Sequence, residues 1–110
     1  MGTRAAIIIK ESTNEINIYH HCDGYPEGVG QELTDFASNC KVWESVKIFA
    51  EMLNEYDDAY RYTSDVHGDE EYIYLVDIPT KTIICYDIFG DEYLTNGFIN
   101  AKVEFKRNFG

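Results

Sequence analysis

The first two apolar segments of the chain have the pattern of a β-hairpin. Residues 5–10 are almost continuously apolar, and after the polar sequence ESTNE the residues Ile16, Ile18 and His20 occupy alternate positions. A period of two is typical of strands with one buried face. The pattern therefore predicts two strands joined by a connection of four or five residues.

Apolar residues then recur at the spacing of helices, in two segments. In the first segment these residues are Val29, Leu33, Phe36 and Ala37. In the second they are Val42, Trp43, Val46, Phe49, Ala50 and Leu53. Repeats of three and four residues place such side chains on one face of a helix. We expect two helices, of which the second is longer.

The remaining segments indicate strands. AYRYT, EYIYLVDI and TIICYDI are rich in β-branched and aromatic residues and are separated by turn-forming residues, which predicts a meander of neighbouring antiparallel strands. FINAKVEF adds a last strand. The order ββααββββ predicts a single compact α+β domain over residues 1–110, an antiparallel β-sheet with two helices packed on one face.

The negative net charge favours basic partners over nucleic acids and membranes. The chain has 20 Asp and Glu against 9 Lys and Arg, which gives a formal net charge of -11. Such a charge repels phosphate backbones and anionic lipids, so direct binding to nucleic acid or to a membrane is disfavoured. It favours a basic protein or a nucleoprotein complex as partner, although the same charge can serve solubility alone.

Two further features point to the cytoplasm. The sequence has no apolar run near the roughly 20 residues of a membrane span and no signal-peptide pattern. Its three cysteines, Cys22, Cys40 and Cys85, are odd in number and widely spaced, so reduced thiols are expected rather than a disulfide framework.

The segment HHCDGYPEGVG concentrates residues that form turns and residues that bind metals. The turn interpretation rests on local hydrogen bonding by Asp, the conformational freedom of Gly and the fixed φ of Pro. It assigns a structural role to Asp23, Gly24, Tyr25, Pro26, Gly28 and Gly30. Because consecutive strand residues point to opposite faces, His20 and His21 are poorly placed to share one ion. We therefore expect no metal and no cofactor, with one histidine buried and the other exposed.

A resemblance to a known group of proteins rests on three stretches, which are, in chain order, MGTRAAIII, IYHHCDGYPEGVGQEL and GDEEYIYLVDI. The chain resembles a group of small phage and mobile-element proteins with a Ser-Thr-Arg-Ala-like start and an IYxHxDGYPxGxG segment. The resemblance extends from residue 3 to about residue 86. It implies a phage origin, and with it the host-cell cytoplasm, but no activity. The positions that match the segment are His21, Asp23, Gly24, Tyr25, Pro26, Gly28 and Gly30.

Acidic residues and tyrosines cluster in the later turns, which suggests a protein-binding surface. Tyrosine buries contact area at low entropic cost and carboxylates pair with Arg and Lys, although solvated loops have the same composition. The predicted surface comprises Asp57, Asp58, Tyr60, Tyr62, Asp65, Asp69, Glu70, Glu71, Tyr72, Asp91 and Glu92. The preferred hypothesis is a small acidic binding protein, for example a phage inhibitor of a CRISPR-like host-defence complex, because the chain has no complete catalytic signature.

Two alternatives stay open. The first is a small hydrolase or nucleotide-signal-degrading enzyme that uses His21, Asp23 and His67 as acid and base groups, which requires these side chains to converge in one pocket. The second is a homodimeric accessory protein joined through an exposed strand edge.

Overall fold

The described residues form six strands, two α-helices and a π-helical turn. The computed structural model describes residues 3–11, 14–39, 46–57, 59–63, 70–87 and 102–109. In chain order the elements are β1 (Ala5–Glu11), β2 (Asn14–His20), a π-helical turn (Pro26–Gly30), α1 (Gln31–Asn39), α2 (Val46–Tyr56), β3 (Tyr60–Thr63), β4 (Tyr72–Asp77), β5 (Thr82–Asp87) and β6 (Lys102–Asn108). The predicted α+β class is confirmed.

The sheet is mixed rather than antiparallel, which corrects the sequence-based prediction. Its strand order is β3-β2-β1-β4-β5-β6. Strands β1 and β4 run parallel, with Ala5 opposite Tyr72 and Ile9 opposite Val76, while the other neighbours are antiparallel. A hydrophobic pattern indicates which face of a strand is buried, but it does not indicate which neighbouring strand pairs with that strand. The parallel pairing of β1 with β4 could therefore not be predicted from the sequence.

The predicted meander is correct for β4 and β5 and wrong for β3, while the predicted last strand is present as β6 and pairs with β5. Strand β3 pairs with β2 at one edge of the sheet, and β4 adds to the opposite side of β1. The β1–β2 hairpin therefore separates two strands that are consecutive in the chain. This placement brings Tyr60, His20, Ala5 and Tyr72 into one row across the same end of the sheet.

The main core lies between the helices and one face of the sheet. Leu33, Phe49 and Leu53 are fully buried against sheet residues such as Ile7 and Tyr74. Burying one such side chain contributes roughly 1.5–3 kcal/mol. The helical spacing read from the sequence is thus confirmed at these positions. Among the described residues, no helix has both the length and the apolar character that crossing a membrane requires.

The alternating pattern of EYIYLVDI predicts that Tyr72, Tyr74 and Val76 share one face of β4 and that Ile73 and Leu75 share the other, and the structure confirms this. Tyr74 and Val76 are buried in the main core, whereas Ile73 is buried in a second, smaller cluster with Ala6 and Ile8. The central strands β1 and β4 therefore contribute apolar side chains to a cluster on each face of the sheet.

The segment after β2 crosses the end of the sheet at very short range. The Gly24 N–H donates to the Thr3 carbonyl oxygen over 2.8 Å, and the Tyr74 hydroxyl donates to the Gly24 carbonyl oxygen over 2.5 Å. A Cβ placed on Gly24 would stand 2.8 Å from the Ala5 Cβ. The absence of a side chain at residue 24 is what permits this contact.

Replacing Tyr74 with Phe should test how much this contact stabilises the protein. The substitution leaves the buried Gly24 carbonyl without its donor, so the free energy of unfolding should fall by about 1–3 kcal/mol. Chemical denaturation measures the change. Tyr62→Phe is the matched control, because Tyr62 is 51% exposed and its loss should have little effect. Equal stability of the Tyr74→Phe variant and the native protein would contradict this description.

Candidate functional site

A cleft of about 440 Å³ opens at the end of the sheet where β2 ends. One wall is the segment of residues 22–29, the second is the first turns of α1, and the third is the end of α2. The strand supplies His20 at the base. The cleft is thus assembled from two segments of the chain, residues 20–35 and 56–59.

The cleft is strongly acidic. Its carboxylates are Asp23, Glu27, Glu32, Asp35 and Asp57. Among the described residues that line it, none is Lys or Arg. Tyr25 and Tyr56, which are 40% and 57% exposed, also contribute to the lining. We call this feature the acidic cleft.

The carboxylates and the histidine of the cleft form two groups that differ in burial. Asp23, Glu27 and Asp35 are exposed and form what we call the rim. His20 is buried and Glu32 and Asp57 are half-buried, and these three form what we call the floor. The nearest potential ligand atoms of the three floor residues lie within 4.8 Å of one another.

Local backbone geometry shapes the rim. Asp23 has a φ of 52°, a left-handed conformation that Asp tolerates better than most residues. Its carbonyl accepts the Val29 N–H over 2.8 Å, and a Cβ on Gly28 would stand 2.3 Å from that carbonyl oxygen. The Tyr25 hydroxyl lies 3.4 Å from the Asp23 carboxylate, which raises the pKa of Tyr25. The turn that the sequence predicts is therefore present, and it holds Asp23 at the mouth of the cleft.

Hydrogen bonding orients the floor histidine. The Nδ1 atom of His20 contacts the carbonyl oxygen of Cys22. A carbonyl can only accept, so Nδ1 carries the proton and Nε2 carries the lone pair of the neutral ring. The ring also packs against Tyr60, with centroids 4.5 Å apart. In the neutral tautomer, Nε2 is therefore the nitrogen with the lone pair, and it belongs to a ring of fixed orientation.

Both floor carboxylates are likewise held in place. The buried Tyr60 hydroxyl donates to Glu32, and burial, followed by this hydrogen bond, raises the pKa of Tyr60 so that the phenol stays protonated. Asp57 accepts the Ala59 N–H over 3.0 Å. Strand β3 begins four residues after α2 ends, so Asp57 lines the cleft while Tyr60, outside the lining, holds Glu32.

The cleft does not activate Cys22 as a nucleophile. Burial raises its pKa, and the carboxylates of Asp23, Asp57 and Glu32 raise it further. The thiolate is the reactive form of cysteine, and this environment disfavours it.

Two of the three residues in the catalytic hypothesis, His21 and Asp23, lie in the described part of the chain. His20 is the buried histidine and His21 the exposed one, as expected for such a pair, but it is His20 that lines the acidic cleft with Asp23. His21 lines a second pocket with Tyr19, Arg61, Tyr62 and Thr63. His21 and Asp23 thus line different pockets, and His67 lies outside the described residues, so the convergence of all three side chains stays a prediction.

Only some of the residues predicted to bind a partner are exposed among those that the structure describes. Tyr60 is fully buried and Glu70 is 5% exposed, so neither presents a side chain to a partner. Glu71 and Tyr72 are half-buried, Tyr62 is exposed, and Asp57 belongs to the floor. The predicted residues that lie outside the described part of the chain are Asp58, Asp65, Asp69, Asp91 and Glu92.

Sequence reasoning missed Glu27, Glu32 and Asp35 as site residues. Glu32 and Asp35 are three positions apart on α1, a spacing that places them on the same side of the helix, beside the buried Leu33. That spacing was a usable signal. The sequence gives no signal that Asp57 approaches His20, because this contact depends on where β3 joins the sheet.

The tautomer of His20 can be tested directly. Nitrogen NMR at alkaline pH, where imidazoles are neutral, should show His20 protonated at Nδ1, because that atom faces a carbonyl. The exposed His21 serves as the reference ring within the same sample. Protonation of His20 at Nε2 would contradict the arrangement described here.

Comparison with protein-family models, with curated proteins and with solved structures finds no match to this chain.

Proposed function

We propose that this protein is a binding protein whose acidic cleft receives cationic side chains of a basic protein partner. The observation that carries the proposal is the lining of the cleft, which has five carboxylates and, among the described residues, no Lys or Arg. A concave surface with one sign of charge concentrates the field and attracts groups of the opposite sign.

The composition of the cleft mouth suits a protein ligand. Tyr25 and Tyr56 are exposed beside the rim carboxylates, and tyrosine is enriched at protein interfaces. An Arg or Lys side chain could place its aliphatic stem against a tyrosine ring while its charged end meets Asp23 or Asp35. The arrangement thus combines apolar contact area with charge complementarity.

The net charge of the chain supports one class of partner. At -11 the protein repels nucleic acid but is attracted to proteins that bind it, because those carry positive grooves. A nucleic-acid-binding effector of a host-defence system, such as a CRISPR complex, fits this description. On this proposal the protein competes with nucleic acid for the partner.

Neutralising the rim should weaken binding of a short Arg-rich peptide. In the triple variant Asp23→Asn/Glu27→Gln/Asp35→Asn, loss of three exposed ion pairs should reduce the affinity by about tenfold at low salt. Fluorescence anisotropy measures the affinity, and added salt should weaken the native complex because it screens exposed charges.

A matched triple variant provides the control. Glu15, Glu51 and Glu104 are exposed carboxylates that do not line the cleft, so Glu15→Gln/Glu51→Gln/Glu104→Gln makes the same change in net charge elsewhere. We expect this variant to bind the peptide within about twofold of the native protein, because distant charges are screened. Equal weakening in both variants would show that net charge alone attracts the peptide, and the proposed role of the cleft would be wrong.

A further inference from the structure

The floor of the acidic cleft has the features of a metal site. His20 comes from the end of β2, Glu32 from the first turn of α1 and Asp57 from the residue after α2. Their ligand atoms lie within 4.8 Å of one another. Metal–ligand bonds of about 2.0–2.2 Å place ligand atoms roughly 3–4 Å apart, so side-chain movements of about 1 Å or less allow one ion to contact all three.

Each of the three side chains is also held by a hydrogen bond to a residue outside the set. His20 Nδ1 faces the Cys22 carbonyl, Glu32 accepts from the Tyr60 hydroxyl, and Asp57 accepts the Ala59 N–H. Such outer contacts are typical of metal ligands, whose other nitrogen or oxygen atoms are fixed by the protein. This observation is independent of the clustering, and it leaves Nε2 of the 4% exposed His20 as the imidazole atom available to an ion.

We infer that His20, Glu32 and Asp57 bind a divalent transition-metal ion, with Zn²⁺ as the preferred ion. One imidazole and two carboxylates form a mixed nitrogen and oxygen set, which suits Zn²⁺ better than Mg²⁺ because Mg²⁺ prefers oxygen ligands alone. Two ionised carboxylates balance the charge of the ion. Three protein ligands leave at least one coordination position open toward the cleft, as in zinc sites that bind water or an exogenous ligand.

The ligand set explains why the sequence predicted no metal. The sequence argument considered neighbouring residues, and His20 and His21 do face different pockets. The three floor residues are separated by 12 or more positions and meet only because β3 pairs with β2 and α1 lies beside the end of that strand.

Zn²⁺ binding to the untagged protein tests the inference, with isothermal titration calorimetry as the measurement. The native chain should bind one Zn²⁺ at this site and bind Mg²⁺ more weakly. Glu32→Gln removes one ligand charge while keeping the side-chain size, and it should weaken Zn²⁺ binding at least tenfold, in line with the sensitivity of such sites. Glu51→Gln makes the same chemical change at an exposed carboxylate of α2 that does not line the cleft, and it should remain within about twofold of the native affinity because distant charges are screened.

Nitrogen NMR supplies a second measurement that does not rely on a substitution. Zn²⁺ should shift the His20 Nε2 resonance and leave His21 unchanged. Unchanged His20 resonances at saturating Zn²⁺, or native affinity in the Glu32→Gln variant, would overturn the inference. The inference does not depend on the basic partner, because peptide binding is tested through the rim and Zn²⁺ binding through the floor.

Discussion

The acidic cleft depends on one backbone contact, the docking of Gly24 against the start of the sheet. The Gly24 N–H and carbonyl are bound by Thr3 and by the buried Tyr74 hydroxyl. An unpaired buried backbone group is costly, so both bonds restrict the path of the chain at this point. With Gly24 held there, Asp23 stands at the cleft mouth and the chain enters the π-helical turn that leads into α1.

The same contact explains why the floor residues occupy a common site. Helix α1 begins at Gln31, one residue after the turn, so the docked loop determines where Glu32 lies relative to the end of β2. Tyr60 then joins the two sides, because its ring packs on His20 while its hydroxyl donates to Glu32. Two half-buried carboxylates at this distance repel each other, and a bound cation would relieve the repulsion.

The sequence predicted those features that depend on local patterns. Helical spacing identified Leu33, Phe49 and Leu53 as core residues, and alternation separated Tyr74 from Ile73. Local patterns do not predict which distant segments pair, and so they predicted neither the pairing of β3 with β2 nor the parallel pairing of β1 with β4. The site shows the same division, since the DGYP turn is local and was predicted, whereas the meeting of His20, Glu32 and Asp57 is a consequence of topology.

The substitution Gly24→Ala tests the account most directly, with Zn²⁺ affinity, peptide affinity and amide hydrogen exchange measured on one sample. A Cβ at this position would stand 2.8 Å from both the Thr3 carbonyl oxygen and the Ala5 Cβ, so the loop must move away from the sheet. We predict that both affinities fall together while the amides of β1, β4 and β5 remain protected, because the core itself is unchanged. A protected sheet with native affinity for both ligands would contradict the claim that this contact forms the cleft.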